Sequence, residues 1–138
     1  MSTLAPKRVK YRKMFKGQMP GMSFRANKVD FGEYGLLALS RGRVSAQQIE
    51  SARKAMTHYT AKGGRVWIRI FPDRPVSKKP LDVRMGSGKG DIAKYVAVVR
   101  PGQVLFEIGG ISVEMASEAI RRAGHKLPVQ AVLIARGQ

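Results

Sequence analysis

Cysteine is absent from this chain of 138 residues, and acidic residues are few. Without cysteine there is no disulfide, no thiolate zinc site and no thiol nucleophile. The longest apolar runs, such as Ala131 to Ala135, are far shorter than the roughly 20 residues of a membrane-spanning helix. The start, Met1 to Pro6, lacks the apolar core of a secretory signal. We therefore expect a cytoplasmic protein.

Positive charge is in large excess, with 26 Lys and Arg against 9 Asp and Glu and a net charge of +17. Such a charge on a small domain repels itself, and a polyanion partner relieves the repulsion. Nucleic acid fits best, because phosphates neutralise the cations and released counterions drive binding. Two alternatives are a generic soluble protein of alkaline pI and a protein of anionic membranes. The membrane alternative is the weaker one, because no basic amphipathic helix stands out in the sequence.

Residues 1–28 are predicted to form a basic extended arm. The segment contains no acidic residue, and Gly17, Pro20 and Gly21 interrupt any long helix. We expect it to order on a phosphate surface, the alternative being a disordered solubilising tail. Its basic residues are Lys7, Arg8, Lys10, Arg12, Lys13, Lys16, Arg25 and Lys28.

Residues 29–138 are predicted to form a single α+β domain, with two helices on one side of a mixed sheet. One helix begins at the capping-box residue Ser45 and stops at Gly63, and the other runs from near Ser112 to Gly124. Strands are expected around residues 31–39, 66–71, 95–99, 104–108 and 129–135, with a tight turn at Pro101-Gly102. The predicted domain thus contains the order strand–helix–strand twice.

Apolar spacing predicts which helix faces are buried. The first stripe is Ile49, Ala52, Met56 and Tyr59, and the second is Ala116, Ala119, Ile120 and Ala123. Arg53 lies off the first stripe and is a candidate RNA contact. On the strand at residues 66–71, one face carries Trp67, Arg69 and Phe71. This face either stacks on nucleic acid, or Trp67 packs under a loop with Arg69 at its rim.

Residues 72–91 are predicted to form one long projecting loop, because they are rich in Pro and Gly and poor in apolar residues. Going out and back over residues 76–90 gives a reach of roughly 20 Å. Its tip carries Lys78, Lys79, Arg84 and Lys89.

An enzyme that acts on nucleotides through a Gly-rich loop is the enzymatic alternative. The run Gly86 to Gly90 resembles a phosphate loop but has Val83 in place of the first Gly and Gly90 in place of the magnesium-binding hydroxyl. The two histidines, His58 and His125, have no neighbouring acid and nucleophile for a triad. We therefore expect no catalytic residue, no metal, no cofactor and no small-molecule substrate.

Several segments taken together resemble bacterial large-subunit ribosomal protein sixteen over nearly the whole chain. They are Pro6-Lys7-Arg8 with Lys10 to Lys13, Phe31-Gly32 with Tyr34 to Leu36, Gln48 to Arg53, Val66 to Asp73, Lys79-Pro80, Arg84 to Gly90 and Lys126 to Pro128.

The resemblance implies an alpha/beta-hammerhead fold and a structural role in the large (50S) ribosomal subunit. It implies partners: 23S rRNA, other 50S proteins, A-site tRNA and, beyond that, P-site tRNA near the peptidyl-transferase region. The residues it implies near tRNA are Arg84, Met85, Gly86, Gly88 and Lys89, and the predicted loop adds Lys78 and Lys79 as candidates. The resemblance makes the basic arm, Lys7 to Lys16, the rRNA anchor, and the helix and strand patterns add Arg53 and Arg69 as candidate rRNA contacts. Relatives commonly carry Lys where this chain has Ser87. The alternative function is a free architectural nucleic-acid-binding protein.

Overall fold

The computed structural model describes residues 28–60, 63–78 and 91–136. These ranges contain two helices and seven strands. In chain order they are β1 (Tyr34–Ala38), β2 (Gly42–Ser45), α1 (Ala46–Thr60), β3 (Arg65–Ile68), β4 (Arg74–Lys78), β5 (Asp91–Val99), β6 (Val104–Gly109), α2 (Val113–Gly124) and β7 (Ala131–Ala135). The predicted order recurs as β2–α1–β3 and β6–α2–β7, so the α+β class is confirmed.

The strands form two antiparallel sheets where the sequence predicted one mixed sheet. The first has the order β3-β6-β1-β7 and the second β2-β5-β4, and every described pairing is antiparallel. The difference arises because the chain passes from one sheet to the other at four places. It does so between β1 and β2, from β2 through α1 to β3, between β3 and β4, and between β5 and β6.

The β1–β2 and β5–β6 passages lie side by side and form a bent ribbon. β1 pairs with β6 in the first sheet, and β2 pairs with β5 in the second. At the bend the Ala38 amide donates to the Gln103 carbonyl at 2.9 Å, and the Gly102 amide donates to the Ala38 carbonyl at 2.8 Å. Gly102 has a φ of 90°, which suits glycine after proline in a tight turn. The turn predicted at Pro101-Gly102 is confirmed.

Both helices begin where their capping residues predict. At α1, the Ser45 amide donates to Gln48 Oε1 at 2.9 Å, and the Gln48 amide donates back to Ser45 Oγ at 3.2 Å. This reciprocal pair satisfies two amides that the helix start would leave without partners. At α2, the Ser112 hydroxyl accepts from the Met115 amide.

The core lies between the helices and one face of the first sheet, and the second sheet adds Val44, Ala97 and Val99. All four residues of the predicted α2 stripe are buried, as are Ile49, Ala52 and Met56 of α1. Tyr59 is only partly buried and packs against the core, whereas Thr60 beside it is buried. The buried residues of both helices pack against Leu36, Phe106 and Ile108 of the first sheet. The burial of this apolar surface is the main term that stabilises the domain.

The predicted loop is shorter than residues 72–91. Residues 74–78 are strand β4, and β5 begins at Asp91. Pro75 argued against a strand at this position, because proline has no amide to donate to a neighbouring strand. It is accommodated here because β4 lies at the edge of its sheet, where a missing amide donor is tolerated. Lys78 opposite Asp91 is the last described pair of these two strands, and residues 79–90 of the predicted loop lie outside the described residues.

We predict that Ser45→Ala lowers the free energy of unfolding by about 1 kcal/mol, because the cap of α1 is lost. Urea unfolding of the full chain measures this. Ser51→Ala, on the exposed side of the same helix, is the matched control and is expected to change stability by no more than about 0.5 kcal/mol. Equal effects of the two substitutions would contradict the capping role.

Candidate nucleic-acid interface

Most of the predicted contact residues lie outside the described residues. This holds for the arm residues Lys7 to Lys16 and for the loop residues Lys79 and Arg84 to Lys89. Lys78 is the last residue of β4. The structure therefore describes the body from which the two segments depart, together with Arg53 and Arg69.

Arg53 lies on α1 and forms an ion pair with Glu50, one helical turn earlier. Its Nε lies 3.1 Å from Glu50 Oε1 and 3.2 Å from Oε2. The hydrogen bond from Arg53 holds the pKa of Glu50 below its ordinary value. The side chain of Arg53 is still 37% exposed, so its guanidinium can be reached from solvent.

Arg69 turns towards the body. Its side chain is only 14% exposed and forms ion pairs with Glu107 and with Asp30, the latter at 3.3 Å. Its Nη1 also donates to the Lys28 carbonyl at 3.2 Å. The guanidinium lies 5.2 Å from the centre of the Phe31 ring. Arg69 thus ties the segment that follows the arm, residues 28–31, to the sheet.

Glu107 is the residue that the sequence analysis missed. It is completely buried in the middle of β6, where every residue is buried. Phe106 and Ile108 belong to the core that the helices cover, so alternation along the strand places Glu107 on the opposite face of the sheet. A single carboxylate within the apolar run Val104 to Ile108 was the available signal, since buried charges require partners.

The partners of Glu107 are backbone amides of residues 30–32, at the start of the described chain, and the side chain of Arg69. The Oε1 atom of Glu107 accepts from the amides of Phe31 at 2.7 Å and Gly32 at 2.8 Å, and its Oε2 accepts from Arg69. Burial alone would raise the pKa of Glu107. The hydrogen bonds from Gly32, Arg69, Phe31 and Asp30 outweigh burial, and the pKa lies below its ordinary value. The carboxylate is therefore charged at neutral pH.

Two glycines allow this segment to lie close to the sheet. A Cβ at Gly32 would be 2.7 Å from the Ile108 carbonyl oxygen and 3.0 Å from Cζ3 of Trp67. A Cβ at Gly35 would be 2.8 Å from a methyl group of Val29. Any larger residue at either position would move the segment away from Glu107. Close packing against the sheet thus explains why glycines stand at positions 32 and 35.

The aromatic face of β3 is partly covered. Trp67 lies beneath Gly32 and stacks with Phe31, with ring centroids 6.4 Å apart and an interplanar angle of 21°. This geometry agrees with the alternative in which Trp67 packs under a loop. Phe31 is 59% exposed and Phe71 46% exposed, and the Arg65 guanidinium lies 5.5 Å from the Trp67 ring. An exposed aromatic and cationic surface remains beside the root of the arm.

The described part of the chain shows no grouping of three or more His, Asp or Glu residues that could hold a metal ion. Among residues 28–60, 63–78 and 91–136, no helix is both long enough and apolar enough to span a bilayer.

Comparison with known proteins matches the chain over almost its full length. Residues 6–134 match the family model described as "Ribosomal protein L16p/L10e". A curated relative, the large ribosomal subunit protein uL16 of Sulfurihydrogenibium sp. (strain YO3AOP1), is 54% identical over 134 residues. That alignment covers 97% of this chain and 97% of the relative.

We predict that Glu107→Gln lowers the free energy of unfolding at pH 7 by about 3–5 kcal/mol, because it leaves Arg69 without its buried charged partner. Denaturant unfolding measures the loss. Glu33→Gln is the control, because this exposed carboxylate accepts only a 3.3 Å hydrogen bond from the Gly110 amide. It should cost about 0.5 kcal/mol or less. A similar loss in both variants would refute the role of Glu107.

The same pair of proteins gives an expected pH dependence. The pKa of Glu107 is lowered on folding, so its stabilising effect is complete above the unfolded pKa and is lost as the pH falls through the folded pKa. The stability difference between the wild type and Glu107→Gln should be constant above about pH 5 and should shrink in more acidic solution. A difference that grows on acidification would contradict the direction of the shift.

Proposed function

Because the chain belongs to the ribosomal protein L16p/L10e family, we propose that it binds 23S rRNA through its basic arm and contacts tRNA with its long loop. Membership makes it a structural constituent of the large ribosomal subunit in the cytoplasm, and not an enzyme. The observation that carries the proposal is the match over residues 6–134, which includes both the arm residues and the loop residues.

The arm, residues 1–28, is proposed as the rRNA anchor, and residues 29–138 as the body that holds it. Six basic residues between positions 7 and 16, with no acid, can neutralise a run of phosphates. Arg69 and Glu107 support this role, because they fix the chain from Lys28 to Gly32 on the sheet. An anchored root limits the directions in which the arm can leave the body, so less order must be gained on binding.

The loop is proposed to reach tRNA at the A site and, further, at the P site. Its root is the Lys78–Asp91 pair at the end of the β4–β5 hairpin. The residues proposed to lie near tRNA are Lys78, Lys79, Arg84, Met85, Gly86, Gly88 and Lys89. Glycines beside Lys89 suit a close approach of the backbone to phosphate or ribose. Ser87 supplies no cation where relatives commonly do.

Arg53 and Arg69 are proposed to serve rRNA binding in different ways. Arg53 is half-exposed and can exchange part of its contact with Glu50 for a phosphate. Arg69 is largely buried, so we propose that it acts mainly by positioning the root of the arm. We also infer that the two linked antiparallel sheets, with both helices packed on one face, are the alpha/beta-hammerhead fold.

We predict that removing residues 1–16 lowers the log–log salt slope of rRNA binding by roughly four to five, since about six phosphate contacts are lost. Filter binding of the full chain and the truncated chain to 23S rRNA between low and moderate salt measures the slope. An unchanged slope would refute the arm as anchor. Equal affinity of the full chain for random duplex DNA would instead favour a free architectural protein.

We predict that Arg84→Gln with Lys89→Gln leaves subunit assembly intact and weakens the binding of tRNA to the A site. The salt slope of tRNA binding should fall by about 1.4–1.8 for two lost contacts. Lys94→Gln, an exposed lysine on β5, is the control and should change neither quantity. Defective assembly with normal tRNA binding would contradict the assignment of the loop.

A further inference from the structure

A basic groove lies between the two helices, in a region to which no part of the proposed function has been assigned. It has a volume of about 630 Å³. Residues from the middle and end of α1 form one wall, and residues from the end of α2 and just beyond form the other. The lining residues are Ser51, Lys54, Ala55, His58, Arg122, His125 and Lys126.

The groove is formed by a regular helix face. Ser51, Lys54, Ala55 and His58 are spaced as neighbours on one side of α1. This side differs from the stripe of Ile49, Ala52 and Met56 that faces the core. Except for Ala55, the lining residues are exposed. Their charged and polar ends are therefore available to a partner along about two turns of helix.

The groove combines positive charge with hydrogen-bond donors. No carboxylate lines it. Lys54, Lys126, His58 and His125 form no ion pair with any described residue, and the one electrostatic contact of Lys54 is the Coulombic field of Glu50. The serine hydroxyl and the two imidazoles add hydrogen-bond donors that suit phosphate and ribose oxygens.

Arg122 is held in place at the edge of the groove. Its Nε lies 3.0 Å from Glu118 Oε1, and its guanidinium lies 4.4 Å from the centre of the Tyr59 ring. Arg121 and Arg122, in that order, lower the pKa of Glu118 to about 2, so this carboxylate stays charged. Glu118 therefore neutralises part of the charge of Arg122. Lys54 and Lys126 are the main cations that the basic groove offers to a partner.

A simpler explanation is that these residues balance the negative ends of the helix dipoles. It accounts for His58, Arg122 and His125, which lie in or next to last turns. It does not account for Lys54, which lies two turns before the end of α1, because the dipole effect is confined to the last turn.

We propose that the basic groove binds the phosphate–ribose backbone of rRNA, as a contact separate from the arm and the loop. This inference rests on the proposed function, because the partner is taken to be the same rRNA. Lys54 and Lys126 bind phosphates, and the hydroxyl of Ser51 and the imidazoles of His58 and His125 bind backbone oxygens. The groove reads no base and contributes affinity and orientation.

The first test measures the salt slope of the full chain on 23S rRNA. Lys54→Gln with Lys126→Gln should lower the slope by about 1.4–1.8, the value for two phosphate contacts. The control is Lys94→Gln with Arg136→Gln, which removes the same charge from exposed positions on β5 and after β7. An equal fall in both double variants, or no fall in the first, would overturn the proposal.

A second test uses the absence of cysteine, which makes any introduced thiol unique. Ser51→Cys places it in the basic groove, and Ser117→Cys places it on the other side of α2, near Leu36 and Leu39. A tethered iron chelate on each full chain, assembled into large subunits, cleaves nearby rRNA. Strong cleavage from residue 51 and weak cleavage from residue 117 is expected. Absence of rRNA cleavage from residue 51 would overturn the proposal.

The two proposals fail in different ways. If the wild-type chain shows no salt-dependent rRNA binding and does not enter large subunits, the proposed function fails. If it binds and assembles normally while the groove variants match their controls, only the groove proposal fails.

Discussion

The buried carboxylate of Glu107 is the interaction on which this side of the domain depends. A charge inside a sheet is costly, and it is tolerated here because an arginine and several backbone amides surround it. All of these amides come from residues 30–32, and the Arg69 guanidinium also holds the Lys28 carbonyl. The Arg69–Glu107 ion pair therefore joins this sheet face to the chain at residues 28–32.

Each face of the first sheet has its own covering and its own role. The helices cover one face through a conventional apolar core, and their outer sides carry the basic groove. The segment Val29 to Gly32 covers the other face, where Val29 is buried, Phe31 stacks on Trp67 and the backbone amides donate hydrogen bonds to Glu107. Positively charged side chains thus lie on more than one side of the described body.

Local patterns in the sequence were enough to predict the helices and the tight turn. The capping residues Ser45 and Ser112 mark the helix starts, because a cap acts over three residues. The division into two sheets could not be predicted, since it depends on long-range pairing across the bend at Pro101-Gly102. Glu107 was missed for a similar reason: its amide donors at Phe31 and Gly32 lie about 75 positions earlier and Arg69 lies 38 positions earlier, and only the fold brings them together. Predicting the strand that contains Pro75 would have required knowing that β4 lies at the edge of its sheet.

The Lys78–Asp91 pair has a consequence for how this protein can change over time. The two residues are opposite each other at the end of a paired hairpin, so the chain leaves and re-enters the body at one point. A connection that begins and ends at one such pair can change in length without altering the register of the pairs behind it, and each doubling of length changes the closure free energy by only about 0.6 kcal/mol. Insertions and deletions between these residues are therefore compatible with an unchanged sheet register and an unchanged body.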